Sequence, residues 1–280
     1  MSSLRNHTHT TYLTITTQVQ KGCKRKGRMA AAAVDKTVNF RCITEAELRE
    51  WVDANPGRVN DMDKWGEPPL YEIVRDKGSL SLVMWLVDEK GADVNARYRG
   101  KFTPLDVAKA LDIITALLDR GADPALVAGH RATPLMKQAG YLKVNIVGLM
   151  LQYPRVRATV DMQDLYGNTA LHQACGTWRS EYTPERDTID IIRLLLKAGA
   201  NPIITNRDGQ TPLAYLRQKN RKCYTTITLL EVAEEALKYS LLVKARRLLV
   251  ASPTDTAAPS YLRRRLEQDQ PLPWVVLVAV

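Results

Sequence analysis

The chain has little of what disulfide bonding, metal binding or membrane insertion requires. It has 280 residues but only four cysteines and four histidines. The cysteines are too far apart for a C-x-x-C pair or a cluster of metal ligands, so reduced thiols are the simplest interpretation. No apolar run approaches the ~20 residues that a membrane-spanning helix needs. We therefore expect a cytoplasmic protein without a membrane span, and the nucleus is the alternative.

Catalytic motifs are also missing from the chain. It contains no G-x-S-x-G, G-x-x-x-x-G-K-[ST], G-x-G-x-x-G or H-E-x-x-H sequence. His172 and Cys175 are spaced like half of a metal site, but a site needs more ligands. The sequence predicts a protein that is not an enzyme, with no small-molecule substrate and no cofactor or metal.

The chain does contain one short sequence motif, here called the phrase, that occurs five times. The copies are EPPLY, FTPLD, ATPLM, NTALH and QTPLA, and they begin at residues 67, 102, 132, 168 and 210. The steps between corresponding positions are 35, 30, 36 and 42 residues. A period of this length predicts a solenoid, in which each unit buries its apolar face against its neighbours.

Each phrase predicts the start of a helix. A Thr side chain can cap a helix, and a Pro directly after it suits the first helical position. Downstream of three copies, an apolar stretch is closed by Gly91, Gly121 or Gly199. Glycine at such a place can adopt the left-handed conformation that ends a helix.

The recurring phrase and the later G-A-D or G-A-N resemble the ankyrin repeat family, whose signature contains T-P-L-H-x-A. The fourth copy, residues 167–174, is the closest match, and the resemblance covers residues 43 to about 250. It implies an all-α solenoid of helix-turn-helix units with projecting β-hairpin loops. The hairpins and the first helices would then line a concave binding face.

The chain departs from that pattern at several positions. Tyr71, Asp106, Met136 and Ala214 replace the histidine of the signature, so the polar cross-link that this histidine makes in the family should survive only at His172. Pro154 stands where a glycine is expected after the third unit. The helix before Pro154 must therefore end by another geometry.

We divide the chain into three segments. Residues 1–42 are predicted to be a basic, disordered tail, and residues 252–280 a C-terminal tail. Residues 43–251 form the repeat domain, with a partial first repeat, about five repeats and a long capping helix over residues 225–251. Thr44 and Glu47 predict a capping box at the start of this domain.

The net charge of +10 lies outside the repeats. Residues 35–218 contain 24 Lys plus Arg and 24 Asp plus Glu. A surface that binds nucleic acid should itself carry a basic stripe, so we do not expect the repeats to bind nucleic acid. The basic run at residues 21–28 is open to three interpretations: a nuclear import patch, a polyanion contact or part of the disordered tail.

Aromatic and arginine side chains dominate the energetics of protein interfaces, and several fall on the predicted loops. The candidate partner-binding residues on the hairpins are Trp65, Arg97, Tyr98, Arg99, Arg131, Tyr166 and Arg207. Trp178 and Tyr182 lie in the extended connection of the fourth unit, which is a second candidate surface. Alternatively, some of these side chains pack inside the fold, Phe102 between hairpins or Trp178 against a helix.

The sequence thus predicts a noncatalytic scaffold or adaptor that binds a protein partner of unknown identity through the concave hairpin face. A second hypothesis is a substrate-recruiting subunit of a ubiquitin ligase. Residues 259–262 and 271–273 are faintly similar to the C-terminal box of ankyrin proteins of that kind, although the expected cysteine is absent.

Overall fold

A computed structural model describes residues 40, 43–63, 65–76, 78–99, 101–176, 185–219 and 223–251, with the backbone alone for residues 245–251. Trp178, Tyr182 and most of both predicted tails lie outside these residues. Within the described part of the chain, no helix is both long and apolar enough to cross a membrane.

The described residues form a series of short helices and one long one. In chain order they are α1 Glu45–Ala54, α2 Pro69–Arg75, α3 Leu80–Met84, α4 Pro104–Val107, α5 Leu111–Asp119, α6 Pro134–Gly140, α7 Val144–Met150, α8 Pro154–Arg157, α9 Ala170–Gly176, α10 Glu185–Lys197, α11 Pro212–Lys219 and α12 Tyr224–Ala251. A π-helical turn, Trp85–Glu89, extends α3.

Every copy of the repeated phrase begins a helix, as predicted. These inner helices are α2, α4, α6, α9 and α11, and each is followed by an outer helix. Inner helices pack on the next inner helix along the chain, and outer helices on the next outer helix. The result is the two-layer, all-α ankyrin-type solenoid that the sequence predicts.

The core lies between these two layers. The leucine of every phrase is buried: Leu70, Leu105, Leu135, Leu171 and Leu213. Outer helices contribute Leu82, Ile114, Val147, Ile192 and Leu230, which are also buried. Each leucine therefore removes apolar surface from water by contact with the adjoining repeat.

Side chains cap the helices in the way the phrase predicts. The Thr133 hydroxyl accepts a hydrogen bond from the Met136 amide at 3.2 Å. At α1, the Glu47 carboxylate accepts from the Thr44 amide at 2.8 Å, which confirms the predicted capping box. Phe40 is buried edge-on against Trp51, with ring centres 5.2 Å apart, so packing on α1 includes a residue before position 43.

Five tight hairpins precede the inner helices. We name them hairpin 1 to hairpin 5, and they span Asp63–Glu67, Tyr98–Phe102, Ala128–Ala132, Asp164–Asn168 and Asn206–Gln210. In each, the amide of the first residue donates to the carbonyl of the fifth, at 2.8 to 3.1 Å. In the described residues, an isolated β-bridge forms only in hairpin 2, between Tyr98 and Phe102.

The third repeat ends differently from its neighbours. Gly121 and Gly199 close α5 and α10 with positive φ angles of 91° and 95°. After α7 the chain instead passes Tyr153, and Pro154 becomes the first residue of the short helix α8. The ring of Pro154 fits this position because the first helical residue needs no amide hydrogen bond.

Two side chains at the signature histidine position link neighbouring repeats. His172 is fully buried; its Nδ1 lies 3.0 Å from the Thr169 hydroxyl, and its Nε2 lies 2.9 Å from the Gln210 carbonyl. Asp106 forms a different link, because it accepts from the Thr103 amide and pairs with Lys137 Nζ at 2.9 Å. A carboxylate thus joins two repeats where the family has an imidazole.

We expect His172→Leu to lower the free energy of unfolding by about 1–3 kcal/mol, because the buried carbonyl of Gln210 loses its partner. Burial lowers the pKa of His172, so the unfolded chain takes up a proton more readily. Wild-type stability should therefore decrease as the pH falls below about 6.5, and the variant should lack this contribution. Urea unfolding followed by circular dichroism at pH values above and below about 6.5 measures both effects.

Tyr141→Leu is the control, since Tyr141 is 69% exposed. It should leave both the stability and its pH dependence unchanged. Equal losses in the two variants would contradict the role assigned to His172.

Candidate functional site

The predicted hairpin residues occupy one edge of the solenoid, and they differ in accessibility. Trp65 and Tyr166 are 44% and 55% exposed, respectively. Arg99, Arg131 and Arg207 are exposed as well, whereas Arg97 and Tyr98 are half-buried. Trp178 and Tyr182 lie outside the described residues, so their assignment as binding residues remains a prediction.

Aromatic rings form a continuous row at hairpin 2. The ring of Tyr98 lies 4.9 Å from that of buried Tyr71 and 6.3 Å from that of Phe102. On one side, the Arg99 guanidinium lies 5.3 Å from the Tyr98 ring centre. On the other, Lys137 Nζ lies 4.6 Å from the Phe102 ring centre. Tyr98 and Phe102 therefore have a packing role that leaves only part of each ring accessible.

A cleft of about 470 Å³ opens beside these rings, between hairpins 2 and 4. Phe102, His130 and Tyr166 provide its aromatic wall, with the rings of His130 and Tyr166 5.7 Å apart. Lys101 and Lys137 bring positive charge to it. The cleft thus combines an apolar wall with a few polar groups, as binding pockets commonly do.

The polar side of the cleft is internally bonded. Asp164 is 7% exposed and accepts hydrogen bonds from the amides of Tyr166 and Asn168 and from Gln173 Nε2. Those bonds satisfy its carboxylate within the fold. The carboxylate of Asp106 is likewise paired with Lys137.

Main-chain hydrogen bonds join successive hairpin tips. The amide of Leu165 donates to the carbonyl of His130 at 2.7 Å, and the amide of Arg207 donates to the carbonyl of Tyr166 at 2.9 Å. The approach is so close that a Cβ atom at Gly167 would come within 2.7 Å of the Arg207 nitrogen. These contacts fix the spacing of hairpins 3, 4 and 5.

Hairpins 1, 4 and 5 have conventional turn chemistry. Their first residue is Asp63, Asp164 or Asn206, whose side-chain oxygen accepts the amides of the third and fifth residues. Their fourth residue is a glycine with φ between 72° and 77°. Side-chain acceptors and glycine are the usual means of stabilising such turns.

Hairpins 2 and 3 lack both features. They begin with Tyr98 and Ala128, and their fourth residues are Lys101 and Arg131. Positive φ angles fall instead on Arg99, His130 and Arg131, at 49°, 60° and 58°. A non-glycine residue in this conformation costs about 1–2 kcal/mol. Strain at exposed cationic residues beside a cleft is typical of a functional site.

A buried charge cluster lies at the first repeat. Glu67 and Glu72 are almost inaccessible, and both pair with Arg75. Glu72 Oε2 is buried without a hydrogen-bond partner in the described structure. Burial is the main cause that raises the pKa of Glu72 to about 8, and neighbouring Glu67 adds to the shift, whereas Arg75 opposes it.

Lys101 and Lys137 were not among the sequence-predicted binding residues, although both line the cleft. Aligning the five phrases would have drawn attention to them. Lys101 occupies the fourth hairpin position, which is glycine in three hairpins, and Lys137 follows the signature histidine position by one residue.

Comparison with known proteins relates the chain to ankyrin repeats. The ankyrin repeat family model matches residues 166–207. The crystal structure of an ankyrin repeat domain from Acinetobacter baumannii AYE superimposes with a TM-score of 0.58 and 28% identity, covering 66% of this chain and 91% of that one. Residues 166–207 thus match the ankyrin repeat family, and the chain has the fold of solved ankyrin repeat structures. Ankyrin repeats generally mediate protein–protein interactions.

Two curated relatives match parts of the chain. The mitochondrial disaggregase of Bos taurus is 32% identical over 132 residues, which are 46% of this chain and 18% of that protein. NF-kappa-B inhibitor zeta of Bos taurus is 26% identical over 196 residues, covering 56% of this chain and 26% of that protein. The chain thus spans about a quarter or less of the length of these relatives.

We expect Glu72→Gln to make the protein more stable than wild type at about pH 8, with a difference that shrinks towards pH 5. The folded pKa exceeds the ordinary value of about 4.5, so the folded state holds a proton that the unfolded chain releases. Wild-type stability should therefore fall as the pH rises from about 4.5 to 8, and glutamine mimics the protonated form. Thermal unfolding across this range measures the effect. A variant less stable than wild type at pH 8 would show that pairing with Arg75 outweighs burial.

Arg131→Gly should stabilise the protein by about 1 kcal/mol, because glycine adopts a φ of 58° without steric cost. Arg207→Gly on hairpin 5 is the control, since Arg207 has no positive φ to relieve. Urea unfolding compares the two variants with wild type. Destabilisation by Arg131→Gly would mean that its side-chain contacts outweigh the backbone strain.

Proposed function

We propose that this chain is a noncatalytic scaffold or adaptor that binds a protein partner through the concave hairpin face. The observation that carries the proposal is the pair of exposed aromatic residues at the hairpin tips, Trp65 and Tyr166, of which Tyr166 lines a cleft together with Phe102. Immobilising a large exposed ring costs little conformational entropy, and such rings therefore commonly anchor a binding partner.

The arrangement of the tips supports binding through a preformed surface. Main-chain bonds hold hairpins 3, 4 and 5 at fixed spacing, so few backbone degrees of freedom remain to be lost on association. The exposed residues Arg99 and Arg131 are on hairpins 2 and 3, between the hairpins that carry Trp65 and Tyr166, and exposed Arg207 is on hairpin 5 beyond Tyr166. Arginine and aromatic residues are the types enriched in interfaces.

The chemistry of the buried groups favours a noncatalytic role. Both ring nitrogens of His172 are engaged within the fold, one with Thr169 and the other with Gln210. Burial raises the pKa of the Cys175 thiol and that of the Cys223 thiol, the latter to about 11. Thiols of this kind are poor nucleophiles near neutral pH.

A triple variant, Trp65→Ala, Arg99→Ala and Tyr166→Ala, tests the binding face. We expect it to lose partners that wild type captures from native lysate, because truncation removes the anchors while the core stays intact. Mass spectrometry identifies each captured protein, and rebinding of that purified protein then measures the change in Kd. We expect the Kd to rise by at least about tenfold.

The matched control truncates Leu111, Tyr141 and Tyr224, which are also exposed but lie at the end of the helix pairs opposite the hairpins. It should bind as wild type does, and circular dichroism should show equal helicity for all three proteins. If only the control variant loses partners, the binding face is at the opposite end and the proposal fails.

The ubiquitin-ligase hypothesis concerns residues 259–262 and 271–273, which lie outside the described residues. It remains a sequence-based prediction. Co-purification of an elongin or a cullin with the full chain, and its loss when residues 252–280 are removed, would support it. Absence of both proteins from the wild-type sample would count against it.

A further inference from the structure

We infer that the partner segment is an acidic peptide with an apolar or aromatic side chain, and that it binds at hairpins 2 and 3. The side chain enters the cleft between Phe102 and Tyr166, and the carboxylates of the segment pair with Arg99, Lys101 and Arg131. This inference rests on the proposed function, because it names the chemistry of the partner for the same face.

The charge around the cleft is the first argument. Lys101 lines the cleft, and Arg131 lies on the neighbouring hairpin 3. Arg99 lies against the Tyr98 ring, and its Nε donates to the Trp65 carbonyl at 3.4 Å. All three cations are exposed, and none forms an ion pair among the described residues. The two carboxylates nearest the cleft are already satisfied, since Asp106 pairs with Lys137 and Asp164 accepts three hydrogen bonds. The rim therefore has positive charge that internal acids do not neutralise, and it complements a negatively charged ligand.

The cleft itself is the second argument. Its volume of about 470 Å³ can accommodate a large side chain, and the rings of Phe102 and Tyr166 offer apolar contact on two sides. Lys137 does not make the cleft strongly cationic, because Asp106 lies 2.9 Å from its ammonium group. An uncharged side chain fits this interior, while the charged rim lies outside it.

The position of the strain is the third argument. Three hairpins place glycine at the fourth position, but hairpins 2 and 3 place Lys101 and Arg131 there. Position 131 is an arginine, although glycine would adopt the backbone conformation found there without strain. The φ of 58° at Arg131 disfavours any side chain. We therefore attribute the arginine at this position to a ligand that requires its positive charge.

A nucleic acid is a poorer match than an acidic peptide. Hairpin 4 has no basic residue, so the row of positive tips is interrupted between Arg131 of hairpin 3 and Arg207 of hairpin 5. A phosphate backbone needs a continuous basic stripe, whereas a short acidic segment needs only the two central hairpins. The balanced charge of residues 35–218 agrees with this difference.

The test selects ligands for the full chain from a phage-displayed library of random peptides of about twelve residues. We expect the selected peptides to be enriched in Asp and Glu around one aromatic or aliphatic residue. The strongest is then synthesised with a fluorescent label, and its Kd is measured by anisotropy. We expect binding to weaken between about 0.05 and 0.5 M NaCl, since exposed charges are screened.

Charge-reversal variants locate the site. Lys101→Glu with Arg131→Glu should weaken this peptide by at least about tenfold. Arg157→Glu with Lys197→Glu introduces the same change of charge at exposed positions on α8 and α10, away from the hairpins, and should change the Kd by less than about twofold. Tyr166→Ala should also weaken binding without altering the salt dependence.

The outcomes separate the two proposals. Neutral or basic peptides that lose affinity with Tyr166→Ala but not with charge reversal would overturn the acidic ligand and leave the hairpin face as a protein-binding surface. Peptides that bind all variants equally would overturn both proposals. A single-stranded oligonucleotide that binds at hairpins 2 and 3 and displaces no peptide would assign the face to nucleic acid and overturn the inference.

Discussion

Burial of one leucine per repeat between neighbouring inner helices is the contact on which the array depends. Each of these five leucines is buried in one apolar core that the repeats share, and stability in such an array comes from contacts between nearest neighbours. Most hairpin tips contribute little to this core, although Ala128 is buried and the first residues of hairpins 1, 4 and 5 are bonded within their turns. The exposed side chains at the tips, such as Trp65 and Tyr166, are available for other contacts.

The inner helices carry buried polar groups that differ from repeat to repeat. Glu67 and Glu72 pair with Arg75 in the first, an aspartate–lysine pair links the second to the third, and His172 links the fourth to the fifth. The aspartate–lysine pair and His172 satisfy the buried groups locally, whereas Glu72 Oε2 in the first repeat has no hydrogen-bond partner in the described structure. The buried polar contacts along the inner helices therefore differ in charge and chemistry from one repeat to the next.

The sequence predicted the helices well because the repeated phrase encodes a cap, a first helical residue and a core leucine in adjacent positions. Local sequence also predicted the capping box of Thr44 and Glu47. In the same way, it predicted that the helix before Pro154 ends by a different geometry. The cleft could not be predicted in this way. It depends on residues from three hairpins, and Lys101 and Lys137 come together with Tyr166 only in the folded array. Nor could the positive φ angle of Arg131 be predicted, because arginine is not a usual signal for that conformation.

Two of the bonds that join hairpins 3, 4 and 5 use only main-chain atoms: the carbonyls of His130 and Tyr166 and the amides of Leu165 and Arg207. A side-chain bond from Asn206 Nδ2 to Asn168 Oδ1 adds to them between hairpins 4 and 5. Every residue type has these carbonyl groups, and every type except proline has the amide hydrogen. Substitutions at these positions can therefore change the shape and charge of the surface without altering the distance between tips. In evolution, such an edge can acquire new partners by point mutation while the register of its repeats is inherited unchanged.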